Sequence, residues 1–313
     1  MNTPATREQT IKDLRARLDR LNRAAVVRPP ARPRNGLRPS MPPPDLNPPA
    51  EIRHTRDVRP AQTPAVPSPP PDPGRTLDKI VPGTEVKNDR GAPFYQVETA
   101  VRSIEETADL DERFTDRLAD AASGASARLS AFEVSRPEQL LFVDIETTGL
   151  SNAPLFLIGI LVWDNGGFVV RQFLARDYSE EAAVIGHFHN QCEGRTLLVS
   201  FNGKSFDLPY VKNRAIVAGV PWSAVLRHMD LLHVSRSIWK KRLPNCKLQT
   251  LEHHICHRTR YGDIPGHLIG AAYHAFVRTG DAFQMADIIR HNMLDLVTLA
   301  DILTRMPPPV SKS

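Results

Sequence analysis

The segment LLFVDIETTGL, residues 140–150, decides the fold expected for this chain. Four apolar residues lead into two carboxylates, Asp144 and Glu146, and a Thr-Thr-Gly turn follows. Residues i and i+2 of a strand point to the same face of a sheet. The pattern therefore predicts a buried strand that ends with two acidic side chains side by side, at the point where the strand meets its exit loop.

The two carboxylates of this segment are candidate metal ligands. Carboxylates held this close repel each other unless a cation lies between them. Hard oxygen ligands of this kind suit Mg²⁺ or Mn²⁺. The alternative is an edge strand with two solvated acids, because Asp-x-Glu occurs often by chance. The apolar lead and the Thr-Thr-Gly exit favour the metal site.

The N-terminal part of the chain differs in composition from the rest. Residues 1–25 predict a short amphipathic helix that could bind a partner, pair with a copy of itself or fray. Residues 26–75 hold most of the 28 prolines and predict a disordered Pro/Arg-rich linker. We expect residues 76–136 to form a lead-in segment that packs on the core, residues 137–306 to form the main domain, and residues 307–313 to form a tail.

The main domain shows an alternation of strand and helix patterns. The predicted strands are 140–145, 155–163, 168–174, 196–201 and 229–232, with a possible earlier strand at 94–97. Asn165-Gly166-Gly167 predicts a hairpin turn. The predicted helices are 179–191 with Ser179 as N-cap, 207–219, 247–257, 267–279 and 281–305. Hairpins followed by strand–helix–strand crossovers indicate an α/β fold with a mixed sheet flanked by helices.

A second motif lies at residues 197–207, where an apolar strand runs into a glycine-containing loop and a helix starts near Asp207. An aspartate at a helix N-terminus can act only as a cap. Beside the first strand it would instead supply a third carboxylate to a metal. The residues alone leave both interpretations open.

A third motif, His291-Asn292-Met293-Leu294-Asp295, lies in a strongly periodic helical segment. His291 and Asp295 are four residues apart, so both project from one side of that helix. One interpretation is an ion pair at the edge of the apolar stripe. The other is a catalytic base beside a fourth carboxylate ligand.

Taken together, the three motifs resemble those of the DEDD exonucleases, which have the ribonuclease H-like fold. Those enzymes carry Asp-x-Glu on the first strand, Asn-x-x-x-Phe-Asp after a later strand, and a Tyr or His near a last Asp on the final helix. The matching residues are Asp144 and Glu146, then Asn202, Phe206 and Asp207, then His291 and Asp295.

The resemblance narrows to the YprB-type branch of bacterial ribonuclease H-like exonucleases, over roughly residues 138–305. Supporting stretches include residues 200–209, 230–233 and 262–266. One feature departs from the His-type members, whose His stands five residues before the Asp. His291 stands four before Asp295, which is the Tyr-type spacing.

This resemblance implies a two-metal 3′→5′ exonuclease. Asp144, Glu146, Asp207 and Asp295 would hold two Mg²⁺ or Mn²⁺ ions, and His291 would take the proton of the attacking water. Substrate-binding roles are implied for a further set of residues: Thr147, Gly149, Leu150, Asn202 and Phe206. DNA is favoured over RNA as substrate, with repair as the family-level role.

The composition is compatible with this interpretation. A net charge of +5 suits a polyanionic partner. The three cysteines lack CxxC spacing, which predicts no disulfide and a reducing compartment. No apolar run matches a membrane span, so we expect a cytoplasmic protein with no membrane partner. The alternatives are a non-catalytic nucleic-acid-binding module, a module whose N-terminal helix recruits a helicase or other protein, and an RNA-processing exoribonuclease.

Overall fold

The computed structural model describes residues 70–122, 134, 136–150 and 152–307. The helix predicted within residues 1–25, the linker as far as residue 69 and the tail beyond residue 307 lie outside the described residues. In the part of the chain that the structure describes, no helix combines the length and the apolar character needed to cross a membrane.

A seven-stranded mixed sheet forms the centre of the fold, in the order β1-β2-β5-β4-β3-β6-β7. Strands β1 to β5 pair antiparallel, whereas β3, β6 and β7 run parallel. The strands are β1 Thr84–Lys87, β2 Pro93–Ala100, β3 Leu140–Thr147, β4 Leu155–Asp164, β5 Gly167–Leu174, β6 Leu197–Ser200 and β7 Arg227–Asp230. The mixed α/β fold class is confirmed.

Eight α-helices accompany the sheet in the described ranges. They are α1 Leu77–Ile80, α2 Leu110–Ala122, α3 Glu181–Gln191, α4 Asp207–Val217, α5 Leu231–Trp239, α6 Leu248–His254, α7 Gly266–Thr279 and α8 Met285–Thr304. The crossovers from β6 through α4 to β7 follow the usual connection of parallel strands.

The core has two parts because alternate residues of each strand face opposite sides of the sheet. In β3, Leu141, Val143 and Ile145 belong to one apolar cluster, while Leu140 and Phe142 belong to the other. Most of the apolar residues of α8 join the second cluster. Because side chains alternate along a strand, Asp144 and Glu146 lie on the same face of β3 as Leu140 and Phe142, which is the face that packs against α8.

The lead-in segment contributes directly to the sheet. Strand β2 pairs with β5 over Tyr95–Ala100, and β1 forms the outer edge. The end of the predicted linker also contacts the domain, because Arg75 Nη2 lies 2.5 Å from Asp281 Oδ2. The hairpin between β4 and β5 has the expected turn, with positive φ at Asn165 and Gly166.

Two local predictions were wrong. The chain forms strand β7 at Arg227–Asp230 and is already helical from Leu231, whereas a strand was expected at 229–232. Asp230 ends the strand because its carboxylate accepts a hydrogen bond from Leu232 N at 3.0 Å and so caps α5. Similarly, Asp177 rather than Ser179 caps the turn before α3, since Asp177 Oδ1 accepts from Ser179 N.

Candidate active site

The exit of β3 carries the first two acids. Asp144 and Glu146 follow Phe142 on the face of the sheet toward α8, and both are half-buried. Strand β4 pairs with this segment of β3, and the register of the pairing shifts between Glu146 and Thr147. Such an irregularity bends a strand and redirects the residues beyond it. The shift therefore marks the place where the chain leaves the sheet for the Thr147–Leu150 loop.

Asp207, the third acid, is placed by the loop between β6 and α4. It is the first residue of α4 and is buried. The loop is held by Asp230, whose carboxylate accepts hydrogen bonds from Asn202 N at 2.9 Å and Lys204 N at 3.1 Å. Asn202 itself has a φ of 65°, so the chain turns sharply there. Asp230 thus holds the backbone of the loop that positions Asp207.

The space between β6 and α4 excludes any side chain at Gly203. A Cβ there would lie 2.2 Å from Ser200 Oγ and 2.8 Å from Asp207 Oδ2. The glycine is therefore required for the close approach of the loop to the Asp207 carboxylate.

Helix α8 supplies His291 and Asp295, one turn apart. His291 Nδ1 lies 2.9 Å from Asp263 Oδ1, and His291 Nε2 lies 3.7 Å from Asp295 Oδ2. The other oxygen of Asp295, Oδ1, lies 2.5 Å from Arg260 Nη2. Both candidate side chains of the third motif thus pair with the segment between α6 and α7.

Helix α8 also contacts strand β3 directly. Asn292 Nδ2 donates a hydrogen bond of 2.8 Å to Asp144 Oδ2 and one of 3.2 Å to the Asp144 carbonyl. The third motif and the β3 acids therefore meet, although 148 residues separate Asn292 from Asp144 in the chain.

The acids influence one another strongly. Burial, together with the charges of Asp295, Glu146 and Asp207, raises the pKa of Asp144 well above its usual value. Burial raises the pKa of Glu146 to about 8, although the charge of His291 opposes the shift. Burial raises the pKa of Asp207 to about 7, and hydrogen bonding from the backbone, including that of Ile145, opposes it. Without a cation, the cluster therefore retains protons near neutral pH.

The pKa of His291 is also raised, but for a different reason. Burial disfavours its charged form, but the hydrogen bond to Asp263 and the charges of Asp295 and Glu146 outweigh that effect and raise its pKa. Asp263 has a lowered pKa: burial opposes the shift, and His291 and Arg260 more than compensate. The pair therefore behaves as a charge-assisted hydrogen bond.

These pairings bear on metal binding. Within the described ranges, no group of three or more His, Cys, Asp and Glu side chains stands ready to hold a metal ion. Arg260 faces one oxygen of Asp295, and Asn292 faces one oxygen of Asp144. The chemistry of the donor set still fits a divalent cation, because hard carboxylate oxygens that lie close together and repel each other gain most from one.

The expected substrate-binding residues lie around the β3 exit loop. Thr147 Oγ1 donates to the Gly149 carbonyl at 2.8 Å, and Leu150 is 87% exposed. The rings of Phe206 and Tyr210 contact each other at an interplanar angle of 42°, with centroids 5.3 Å apart, and the Tyr210 hydroxyl donates to the Gly149 carbonyl at 3.0 Å. A cavity of about 200 Å³ opens here, hereafter the Leu150 pocket, lined by Leu150, Asn152, Phe206, Tyr210, Asn213 and Arg214. Asn202, in contrast, contributes a backbone amide to Asp230.

Sequence reasoning missed several residues of the site. Arg260 had no recognisable signal, and Asp263 entered only as part of the stretch 262–266 that supports the family resemblance. Asn292 lies inside the third motif but was given no role. Gly270 lets α7 approach the exit loop, because a Cβ there would lie 2.8 Å from the Thr148 carbonyl oxygen.

The fold and this cluster of acids define a class of protein. Residues 141–306 match the model of the RNase_H superfamily, which is more than half of the chain. The chain therefore belongs to the RNase H superfamily of nucleases, and the ribonuclease H-like fold expected from the motifs is confirmed.

A more specific likeness is to a protein of Bacillus subtilis strain 168, "Uncharacterized protein YprB". The two are 32% identical over 189 residues, which is 59% of this chain and 45% of YprB. The aligned part thus spans less than half the length of that relative. This likeness confirms the resemblance to the YprB-type branch over the aligned residues.

Two solved structures are similar in part. The family B DNA polymerase of the archaeon Pyrobaculum calidifontis shows 20% identity and a TM-score of 0.43, over 53% of this chain and 24% of the polymerase. The zinc-bound ExoI–ssDNA complex of E. coli shows 16% identity and a TM-score of 0.32, over 50% of this chain and 42% of ExoI. Both likenesses are partial and distant.

Proposed function

We propose that this protein is a metal-dependent exonuclease that hydrolyses phosphodiester bonds of nucleic acid, acting 3′→5′ on DNA in repair. The observation that carries the proposal is the meeting of Asp144, Glu146 and Asp207 with the Asp295 helix, in a chain of the RNase H superfamily. The polarity, the choice of DNA and the role in repair rest on the resemblance to the DEDD exonucleases.

The four carboxylates Asp144, Glu146, Asp207 and Asp295 would hold two Mg²⁺ or Mn²⁺ ions. Bound ions of this kind supply a water of lowered pKa and neutralise the charge that builds up on the scissile phosphate. Without them the same carboxylates repel a phosphodiester, which is itself an anion. We therefore expect activity to depend completely on a divalent metal.

His291 is the proposed base. With its Nδ1–H donating to Asp263, the neutral ring carries its lone pair on Nε2. That nitrogen can accept the proton of the attacking water, and the Asp263 carboxylate stabilises the imidazolium that forms. Asp263 thereby acts as a positioning residue that fixes the orientation of the imidazole ring.

The Leu150 pocket is the proposed site of the terminal nucleotide. Leu150 is an exposed apolar side chain at its mouth, and the tilted rings of Phe206 and Tyr210 offer aromatic surface on which a base can stack. Thr147 and Gly149 would shape the exit loop, and Asn202 would hold the loop before Asp207. The net charge of +5 favours approach of the polyanion.

We assign the nuclease domain to residues 137–306, with residues 76–136 completing one edge of its sheet. Residues 1–25 and 26–75 are proposed as a partner-binding helix, with a helicase as one kind of partner, and its tether. Deletion of residues 1–69 should accordingly leave cleavage of a short oligonucleotide unchanged.

Hydrolysis of labelled oligonucleotides tests the proposal. Single- and double-stranded DNA and RNA, labelled at either end, are incubated with Mg²⁺, Mn²⁺ or EDTA. We expect stepwise release of nucleotides from the 3′ end with metal and none with EDTA. Release that continues in EDTA would refute the mechanism, and binding without hydrolysis in every metal would favour the non-catalytic module.

A further inference from the structure

Strand β4 carries no side chain at Gly159, and a side chain of α8 occupies the gap that this leaves. Gly159 pairs with Asp144 of β3 on one side and with Gln172 of β5 on the other. A Cβ at Gly159 would lie 1.9 Å from Asn292 Oδ1 and 2.8 Å from Leu296 Cδ1. Only glycine therefore leaves room for the Asn292 side chain between the two neighbouring strands.

A chain of hydrogen bonds crosses this gap. Gln172 Nε2 donates to Asn292 Oδ1 at 2.9 Å and to the Ile289 carbonyl at 2.8 Å. Asn292 Nδ2 in turn donates to Asp144 Oδ2 at 2.8 Å. Gln172 and Asn292 are both completely buried.

The orientation of both amides follows from their partners. A reversed Gln172 amide would place its oxygen against two acceptors, the Ile289 carbonyl and Asn292 Oδ1. In the orientation adopted, Gln172 Oε1 has no hydrogen-bond partner among the described residues. With Asn292 Oδ1 facing the Gln172 donor, only the Nδ2 group can face Asp144.

We propose that Asn292 is a positioning residue for Asp144, and that Gln172, through the gap at Gly159, orients it. The proposal rests on the proposed function of the acid cluster. Asn292 binds one oxygen of Asp144, which leaves the other for an ion. An amide suits this place because it donates a hydrogen bond without adding negative charge to a cluster whose acids already repel each other.

Two substitutions at Asn292 separate positioning from simple packing. Asn292→Ala removes the donor, and Asn292→Asp keeps the shape but replaces the donor with a further carboxylate. For both we expect kcat to fall about 10–100-fold with the KM for oligonucleotide unchanged. For Asn292→Ala we also expect Mn²⁺ affinity, measured by calorimetry without substrate, to fall about tenfold. Ile302→Val, a buried change about three turns further along α8, should lower the melting temperature but leave kcat and Mn²⁺ affinity unchanged.

The gap provides an independent test. Gly159→Ala should reproduce the losses of Asn292→Ala, because the added Cβ displaces the amide. The double variant Gly159→Ala/Asn292→Ala should lose no more activity than either single variant, since both act on one contact. If Asn292→Ala does not fold, Gln172→Met serves instead, because it removes only the orienting donor, and the same losses at smaller size are expected.

The calorimetric measurement distinguishes this inference from the proposed function. If the wild-type protein binds Mn²⁺ but hydrolyses nothing, the proposed function fails, and weaker Mn²⁺ binding by Asn292→Ala still supports the positioning role. Wild-type Mn²⁺ affinity and kcat in Asn292→Ala, with only a lower melting temperature, would overturn the inference.

Discussion

Arg260 and Asp295 form a half-buried ion pair in which Arg260 Nη2 lies 2.5 Å from Asp295 Oδ1. The second oxygen of Asp295 faces His291 Nε2 at 3.7 Å, so each oxygen faces a nitrogen of a different side chain. The same guanidinium contacts Glu252 Oε2 at 2.5 Å and Asp263 Oδ2 at 3.4 Å. One arginine therefore joins the fourth carboxylate of the site to the aspartate that positions the proposed base.

Arg260 should matter strongly for stability. Arg260→Gln removes this cation from the buried carboxylate of Glu252 and from the half-buried carboxylate of Asp295. Breaking a buried pair such as Arg260–Glu252 costs about 3–5 kcal/mol. We expect the free energy of unfolding, measured with urea at pH 7, to fall by about that amount. The matched control is Arg278→Gln at an exposed position, which should change it by less than about 0.5 kcal/mol. Equal effects of the two variants would contradict the role given to Arg260.

The metal-free protein should become less stable as the pH rises. Glu146 and Asp207 have folded-state pKa values of about 8 and about 7, above those of the unfolded chain. The folded state thus binds more protons than the unfolded state between about pH 4 and pH 8, and stability falls with pH across that window. We expect the melting temperature in EDTA to fall from pH 5 to pH 8.5. The fall should be shallower in Glu146→Gln and Asp207→Asn, and an unchanged slope in both would disprove the assignment.

Asp263 should set the pH dependence of catalysis. Its hydrogen bond raises the pKa of His291, and Asp263→Asn removes the charge while keeping the shape. Loss of this charge-assisted hydrogen bond removes a contact that favours the charged imidazolium, so the pKa of His291 should fall. Because a base acts in its neutral form, the acidic limb of kcat/KM against pH should move to lower pH. A limb that stays in place would mean that His291 is not the base.

Asp144 should be needed for metal binding but not for nucleic-acid binding. Asp144→Asn keeps the size of the side chain but removes its charge. We expect hydrolysis to fall by at least ~10²-fold, which is the typical cost of removing one electrostatic stabiliser of a transition state. Calorimetry should show weaker Mn²⁺ binding, and fluorescence anisotropy should show unchanged affinity for an oligonucleotide. Full activity in this variant would place the site elsewhere.

Leu150 should affect substrate binding but neither stability nor the chemical step. Its side chain is 87% exposed, so Leu150→Ala should change the free energy of unfolding by less than about 0.5 kcal/mol. We expect a severalfold rise in the KM for oligonucleotide with kcat nearly unchanged. Val225→Ala is the control, since Val225 is 95% exposed and precedes β7, away from the strand end that carries Asp230. The same KM for both variants would remove Leu150 from the binding surface.

Much of the fold could be predicted because burial leaves a period in the sequence. The apolar run before Asp144 predicted β3, and the Asn165-Gly166 pair predicted the hairpin from β4 to β5. Elements with weaker patterns were missed: β1 has only four residues, none of them fully buried, and so shows no apolar period. The end of β7 was placed wrongly because the Asp230 cap, which starts a helix, looks in sequence like the end of an apolar strand.

The site could be predicted in its parts but not in its contacts. The spacing of Asp144 and Glu146 puts both on one face, and the spacing of His291 and Asp295 puts both on one side of a helix. No local pattern connects Asp263 to His291 or Arg260 to Asp295, since these partners are 28 and 35 residues apart in the printed sequence. Their pairing depends on how the segment between α6 and α7 returns to α8.

The amino-acid sequence by itself determined the mixed sheet, the faces of its strands and the acids that those faces present, because residue periodicity and burial are local properties. Tertiary structure alone decided which atoms of those acids are already paired. Asn292 reaches Asp144 only because Gly159, on a third element, leaves a gap, and Arg260 reaches Asp295 only because a distant loop folds back. Such contacts require several elements to be packed at once, so no single stretch of sequence contains them.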